Sequence, residues 1–222
     1  MVDIPIALFD MDGLLLDTEV IYTRVTQHIV GRFGKTFDWS IKSNMIGRPS
    51  IDSARYLVAA LELPITPEQY LEERGGLLRQ YFADCDALPG AERLVRHLNK
   101  HGVSIAVATS SERELYEIKT TRHRDWFNLF DCVVTGDDKA VKNGKPAPDI
   151  FNVAADRLGS ADRSAVVFED APSGLAAGKA AGMLVVVVPD ANMDLRRYQE
   201  ADCILDSLEQ FCPEQFGFPE YE

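Results

Sequence analysis

The stretch IPIALFDMDGLLLDTE, residues 4–19, constrains the fold more than any other part of the chain. Ile4, Ile6, Ala7, Leu8 and Phe9 form a nearly continuous apolar run, the pattern of a strand buried on both faces. Asp10 and Asp12 follow where that strand runs out, and Gly13 permits a sharp turn directly behind them. Two-residue periodicity sends both carboxylates to one side and Met11 to the other. Acids at the end of a buried strand are unfavourable unless a cation or a catalytic task accounts for them. A surface DxD turn would explain the acids but not the apolar strand in front of them.

Further apolar runs at Val103–Ala108, Asp131–Thr135, Ala165–Phe168 and Leu184–Val188 read as strands. Helical patterns lie between them. Leu94, Val95 and Leu98 mark one, closed by His101-Gly102, and Ile150, Phe151, Ala154, Ala155 and Leu158 mark another. The segment Pro172–Gly182, rich in Gly and Ala, suits a helix packed tightly on a sheet. Strands alternating with helices predict an α/β fold, a Rossmann-like parallel sheet with right-handed crossovers.

From about Leu16 to Asp86 the alternation stops. Three helical stripes fill the interval: Tyr22, Val25, Ile29, Phe33; Ala54, Leu57, Val58, Leu61; and Leu77, Leu78, Tyr81, Phe82. Gly34, Gly47-Arg48-Pro49 and Leu63-Pro64 supply the connectors. About 70 residues exceed an ordinary crossover. The expected organisation is therefore an α/β core of residues 1–15 and 87–222, with residues 16–86 inserted as an α-helical cap. Such a cap is expected over the carboxyl ends of the strands, where open α/β sheets bind ligands. Gly13–Thr18 and Leu88-Pro89-Gly90 are the hinge candidates, with Asp17 and Thr18 shaping the first and Thr18 suited to cap a helix.

A formal net charge of −12 argues against nucleic acid polymers and anionic membranes as partners, since both require a basic face. It leaves room for a small anionic metabolite, because a bound cation and one or two lysines reverse the local field. Cys85, Cys132, Cys203 and Cys212 have no metal-binding spacing and read as free thiols. The N-terminal sequence lacks a basic segment followed by a long apolar one, and no apolar run approaches the roughly 20 residues of a membrane span. The expectation is a cytoplasmic protein, monomeric or weakly dimeric.

In a parallel sheet the carboxyl ends of the strands converge on one edge. The first strand brings Asp10 and Asp12 there, and the second brings Thr109, Ser110 and Ser111. The segment GKPAPD brings Lys145, and the strand before APSG brings Glu169 and Asp170. These residue types together suit phosphoryl transfer. A carboxylate can attack phosphorus, and a second can protonate the leaving oxygen and then activate water. Attacking group and substrate are both anionic, so a divalent cation is required; Asp10, Asp170 and the main chain of Asp12 are candidates to hold Mg2+. A lysine and hydroxyl or amide donors would orient the phosphoryl oxygens.

FDMDGLLLDTE, VATSS, GKPAPDIF and VFEDAPSG resemble, in order and spacing, the four motifs of the haloacid dehalogenase superfamily. The likeness is to its phosphatases with a helical cap after the first strand, and it covers the whole chain. The resemblance implies Asp10 as nucleophile, Asp12 as general acid and base, and Thr109 and Lys145 as phosphate ligands. It implies Mg2+ on Asp10, Asp12 and Asp170, with Glu169 supporting through bound water. The dehalogenase branch lacks an acid at the position of Asp12, so its presence points to phosphate esters.

ALFDMDGLLLDTEVIY, KTTRHRDWFNLF, VVVVPD and the terminal FGFPEYE further resemble the pseudouridine 5′-phosphatase group. Glycerol-3-phosphate and sugar-phosphate phosphatases share much of the pattern. A phosphomutase of the beta-phosphoglucomutase type would share every core motif, but Tyr22 stands where such mutases usually carry histidine. A non-catalytic binding protein on the same fold should have lost one of Asp10, Asp12, Lys145 or Asp170, and all are present.

Other residues carry lesser expectations. Ser110 is a phosphate contact through its backbone N–H, and Arg48 a substrate contact from a cap loop. Glu169 or Asp170 could also cap the helix that follows. Asp137 and Asp138 read as a turn, and His123 as part of a solvated basic patch.

Overall fold

The computed structural model describes residues 5–45, 50–160 and 164–222. The chain divides into two compact units: Met1–Asp17 with Asp86–Glu222, and Thr18–Cys85.

The first unit is built on a parallel sheet. Its strands among the described residues are β1 (Ile6–Phe9), β2 (Ile105–Ala108), β3 (Cys132–Val134), β4 (Ala165–Glu169), β5 (Leu184–Val187) and β6 (Cys203–Ile204), in the order β3-β2-β1-β4-β5-β6. All neighbouring pairs are parallel. Strands β1, β2 and β4 are fully buried along their length, which is why they read as unbroken apolar runs. The order reverses direction between β1 and β4, the switch point at which such sheets open a crevice beyond the strand ends. Phe9 pairs with Val107 on one side and Phe168 on the other, so Asp10, Thr109 and Glu169 emerge within a residue or two of each other at that edge.

One sheet face carries Ile6, Leu8, Ala106, Ala108 and Val167. Against it pack Ile150, Phe151, Ala154 and Ala155 of the helix Asp149–Arg157, and Leu175 and Ala177 of Pro172–Ala180. On the opposite parity, Phe9 stacks on Phe168 with ring centroids 4.6 Å apart, and Phe168 meets Phe211 edge-on at 4.9 Å. The C-terminal segment completes the unit. His97 Nε2 hydrogen-bonds the Pro219 carbonyl at 2.8 Å, and Arg93 lies over the Tyr221 ring.

The strands differ from the sequence expectation mainly at their ends. Val103 belongs to the turn after the helix Ala91–Lys100, donating to the Leu98 carbonyl. The Asp131 carboxylate accepts from the Ile105 N–H, taking a side-chain role beside β2 in place of a strand position.

The second unit is helical: Thr18–Gly31, Trp39–Lys42, Ser50–Ala60, Pro67–Tyr81 and a 3-10 turn at Phe82–Asp84, with no strand among its described residues. Thr66 opens the fourth helix with a reciprocal capping box to Gln69, and Pro67 occupies its first turn. The Thr26 hydroxyl meets the Tyr70 hydroxyl at 3.0 Å inside the unit. Thr18, expected as an N-cap, is the first helical residue instead; its hydroxyl is buried without a hydrogen-bond partner.

Candidate active site

The strand ends assemble the site. Asp10 extends β1 by one ladder bond, its N–H donating to the Phe168 carbonyl at 3.0 Å. Gly13 turns the chain back with φ +81°. A side chain there would also collide with Asp170, whose Oδ2 lies 2.4 Å from the position a Cβ would take. Glycine is thus required by both conformation and space.

Lys145 joins residues from three strands. Its Nζ donates to Asp10 Oδ1 at 2.5 Å, to Glu169 Oε1 at 2.6 Å and to the Ala108 carbonyl at 3.0 Å. It lies 4.9 Å from the Phe151 ring centroid. The Lys145 side chain is 6% exposed and that of Glu169 is 1% exposed. Glu169 Oε2 accepts from the N–H groups of Asp170 and Ala171, so this carboxylate orders the turn into the next helix. Gly174 leaves the room that Glu169 fills.

Burial pushes Asp10 up to about 7; Lys145 opposes that shift, while Glu169 and Asp12 add to it. Burial works to lower Lys145, but Asp10 and Glu169 outweigh it and hold the ammonium above its ordinary value. One ammonium between two buried carboxylates leaves excess negative charge, and Asp170 adds to it. Ligand atoms of Asp10, Glu169 and Asp170 all lie within 4.8 Å of one another. This all-oxygen donor set fits a hard divalent cation, and the raised Asp10 gives a physical reason for one.

Asp12 has different partners from Asp10. Lys119 Nζ donates to its Oδ1 at 2.5 Å, and Ser111 Oγ to its Oδ2 at 2.8 Å. The Thr109 hydroxyl reaches Oδ2 at 3.4 Å and accepts from the Ser111 N–H. Thr109 is fully buried, whereas Ser110 is exposed. No sequence motif marks Lys119, and Ser111 stands in the sequence only as one of three hydroxyl residues at a strand end. Arg48 lies outside the described residues.

The remaining acids serve the framework. Asp138 forms a two-point ion pair with Arg157 at 2.7 and 3.0 Å, and Asp137 accepts from the Thr135 hydroxyl and the Arg113 N–H. In the helical unit a separate cavity of about 190 Å3 is lined by Tyr22, Thr23, Lys42 and Arg74, among others. The four cysteines are free. No helix among the described residues is long and apolar enough to cross a membrane.

Residues 7–188 match the family model described as haloacid dehalogenase-like hydrolase. The chain is 47% identical over 220 residues to (DL)-glycerol-3-phosphatase 2 of Arabidopsis thaliana, covering 97% of this chain and 92% of that one. It is 44% identical over 217 residues to a Drosophila melanogaster protein named probable pseudouridine-5′-phosphatase, covering 96% and 94%. Among solved structures, an HAD family hydrolase from Deinococcus radiodurans with bound phosphate and sodium is similar at TM-score 0.77 and 25% identity, covering 94% of each chain.

Proposed function

Because this chain belongs to the haloacid dehalogenase-like hydrolase family, and to its phosphatases, we propose that it hydrolyses a small phosphomonoester through an aspartyl-phosphate at Asp10. The observation that carries this reading is Lys145 Nζ at 2.5 Å from Asp10 Oδ1 and 2.6 Å from Glu169 Oε1. A buried ammonium fixed on a buried carboxylate is suited to bring an anionic ester onto an anionic nucleophile.

In the first half-reaction an Asp10 carboxylate oxygen attacks phosphorus. The bond to the ester oxygen breaks, and its electron pair takes a proton from Asp12 to release an alcohol. In the second, water attacks the same phosphorus and gives a proton back to Asp12. The bond from phosphorus to Asp10 breaks, leaving inorganic phosphate and a regenerated carboxylate. Lys145 holds phosphoryl oxygens throughout, and the exposed Ser110 offers its N–H at the same strand end. Thr109 joins them by exchanging its long 3.4 Å bond to Asp12 for a phosphoryl oxygen.

Asp10 and Asp170, with the main chain of Asp12, would hold Mg2+, and Glu169 would support it through water. A bound Mg2+ would supply positive charge beside the phosphoryl group and orient it. The free thiols suit a cytoplasmic setting.

The relatives' names direct the choice of substrate to pseudouridine 5′-phosphate and glycerol 3-phosphate, with sugar phosphates next, from a Thermotoga maritima relative named phosphorylated carbohydrates phosphatase. The likeness of the terminal FGFPEYE to the pseudouridine 5′-phosphatase group favours the nucleotide. A phosphate-release screen over these esters and uridine monophosphate, with Mg2+ and with EDTA, tests the reading. Turnover of one ester with Mg2+ and silence in EDTA are expected. Undiminished turnover in EDTA, or isomer formation from a hexose 1-phosphate without phosphate release, would contradict it.

A further inference from the structure

Lys119 is the last residue of the helix Arg113–Lys119 and is completely buried. A buried ammonium is strongly unfavourable unless charge and hydrogen bonds compensate it. Here the compensation is specific: Nζ donates to Asp12 Oδ1 at 2.5 Å and to Ser111 Oγ at 2.8 Å. The Ser111 hydroxyl passes the contact on, donating to Asp12 Oδ2 at 2.8 Å. Both oxygens of one carboxylate are thus engaged by a closed triangle of side chains. The Ser111 corner is itself fixed, because its N–H donates to the Thr109 hydroxyl at 3.0 Å.

A purely structural ion pair would serve equally well against any acid on β1. This one engages the acid that remains partly open, since the Asp12 side chain is 25% exposed while Lys119 is 0% exposed. The cation therefore sits behind the carboxylate, on its protein side.

We propose that Lys119, acting with Ser111, is a positioning residue that fixes the Asp12 carboxylate for both of its proton transfers. The inference rests on the phosphatase reading above and adds a residue to it. Lys119 touches no reacting atom; it limits the rotation of the group that does. Its loss acts on the steps that need Asp12, namely departure of a poor leaving group and attack by water, and not on ester binding.

The test uses the full chain with Mg2+ and two esters, glycerol 3-phosphate and p-nitrophenyl phosphate. The second leaving group departs without a proton. For Lys119→Met, kcat on the alkyl ester should fall by about 10- to 100-fold with KM within about threefold, part of the 10²–10⁴ that general acid–base catalysis supplies. The first turnover of p-nitrophenyl phosphate, followed by stopped flow, should keep its wild-type rate, while later turnovers slow at water attack. Ser111→Ala, which removes one hydrogen bond and no charge, should show the same split with a smaller loss, and it decides the matter if Lys119→Met does not fold. Wild-type kcat on the alkyl ester in the folded variant, or an equal loss in the first turnover of both esters, overturns the positioning role. If the wild-type chain turns over neither ester, the alkyl arm is run with whichever phosphomonoester of the screen above it does hydrolyse; a wild-type chain inert towards every ester of that screen overturns the phosphatase reading and this inference with it.

Discussion

The carboxyl group of Glu169 occupies the space that a side chain on Gly174 would need: a Cβ built at Gly174 would lie 1.8 Å from Glu169 Cδ. The APSG sequence is thereby tied to Lys145, because Glu169 is one of the two carboxylates that hold the ammonium. Gly174→Ala should push Glu169 off Lys145 and off the N–H groups of Asp170 and Ala171. We expect a loss of about 1–3 kcal/mol in urea unfolding, typical of overpacking, together with a large fall in kcat. A variant with unchanged unfolding midpoint and activity would mean that the carboxylate has another place to go.

Lys145→Ala removes the cation between Asp10 and Glu169, whose side chains are nearly inaccessible. Breaking a buried pair from one side costs about 3–5 kcal/mol. In EDTA the unfolding midpoint should fall accordingly, and Mg2+ should recover part of the loss by binding the exposed excess of negative charge. On the proposed mechanism the lysine holds the phosphoryl group in both ground and transition states, so kcat should fall and KM rise together.

Asp10→Asn keeps the shape of the side chain and removes one of the crowded charges. Turnover should fall on the order of 10³-fold or more with the loss of the proposed nucleophile. The fold should survive, since Lys145 retains Glu169 Oε1 and the Ala108 carbonyl as acceptors. Circular dichroism and the thermal midpoint in EDTA check the second half of this expectation.

The raised Asp10 also links stability to pH and to the cation. In ion-free protein Asp10 holds its proton more tightly when folded, near 7, than its ordinary value of 3.8 allows. Its contribution to stability is therefore complete below the ordinary value and is lost as pH climbs through about 7. A divalent cation held by these carboxylates would replace that proton, so Mg2+ should raise the melting temperature more at about pH 8 than at about pH 5. An equal Mg2+ shift at both pH values would contradict the crowding of negative charge inferred here.

The sheet and the motif residues were legible because their signals are local. β1, β2 and β4 are short apolar runs ended by polar residues, and Asp10, Lys145 and Glu169 stand at those ends or beside a proline. β6 was not legible; two residues, Cys203 and Ile204, are too few for any periodicity. The Lys119–Asp12 pair was missed for a different reason: 107 positions separate the two residues, and no local pattern encodes their meeting. One signal was available. Tyr116, Lys119 and Thr120 share the buried side of their helix and its cap, and a lysine among such positions asks for a charged partner. Thr18 misled because a threonine before an apolar helix reads as a cap, whereas the helix has already begun there.

The central claim is a covalent bond between phosphorus and Asp10. The most direct test takes Asp12→Asn, acid-quenched during turnover of p-nitrophenyl phosphate, digested and read by mass spectrometry; this leaving group needs no proton, so only the water-attack step is slowed and the intermediate accumulates. One phosphoryl group is expected on the peptide that carries Asp10, absent from Asp10→Asn treated alike. An adduct on another residue would contradict it. So would an unmodified Asp10 peptide in a variant that releases a stoichiometric first equivalent of alcohol.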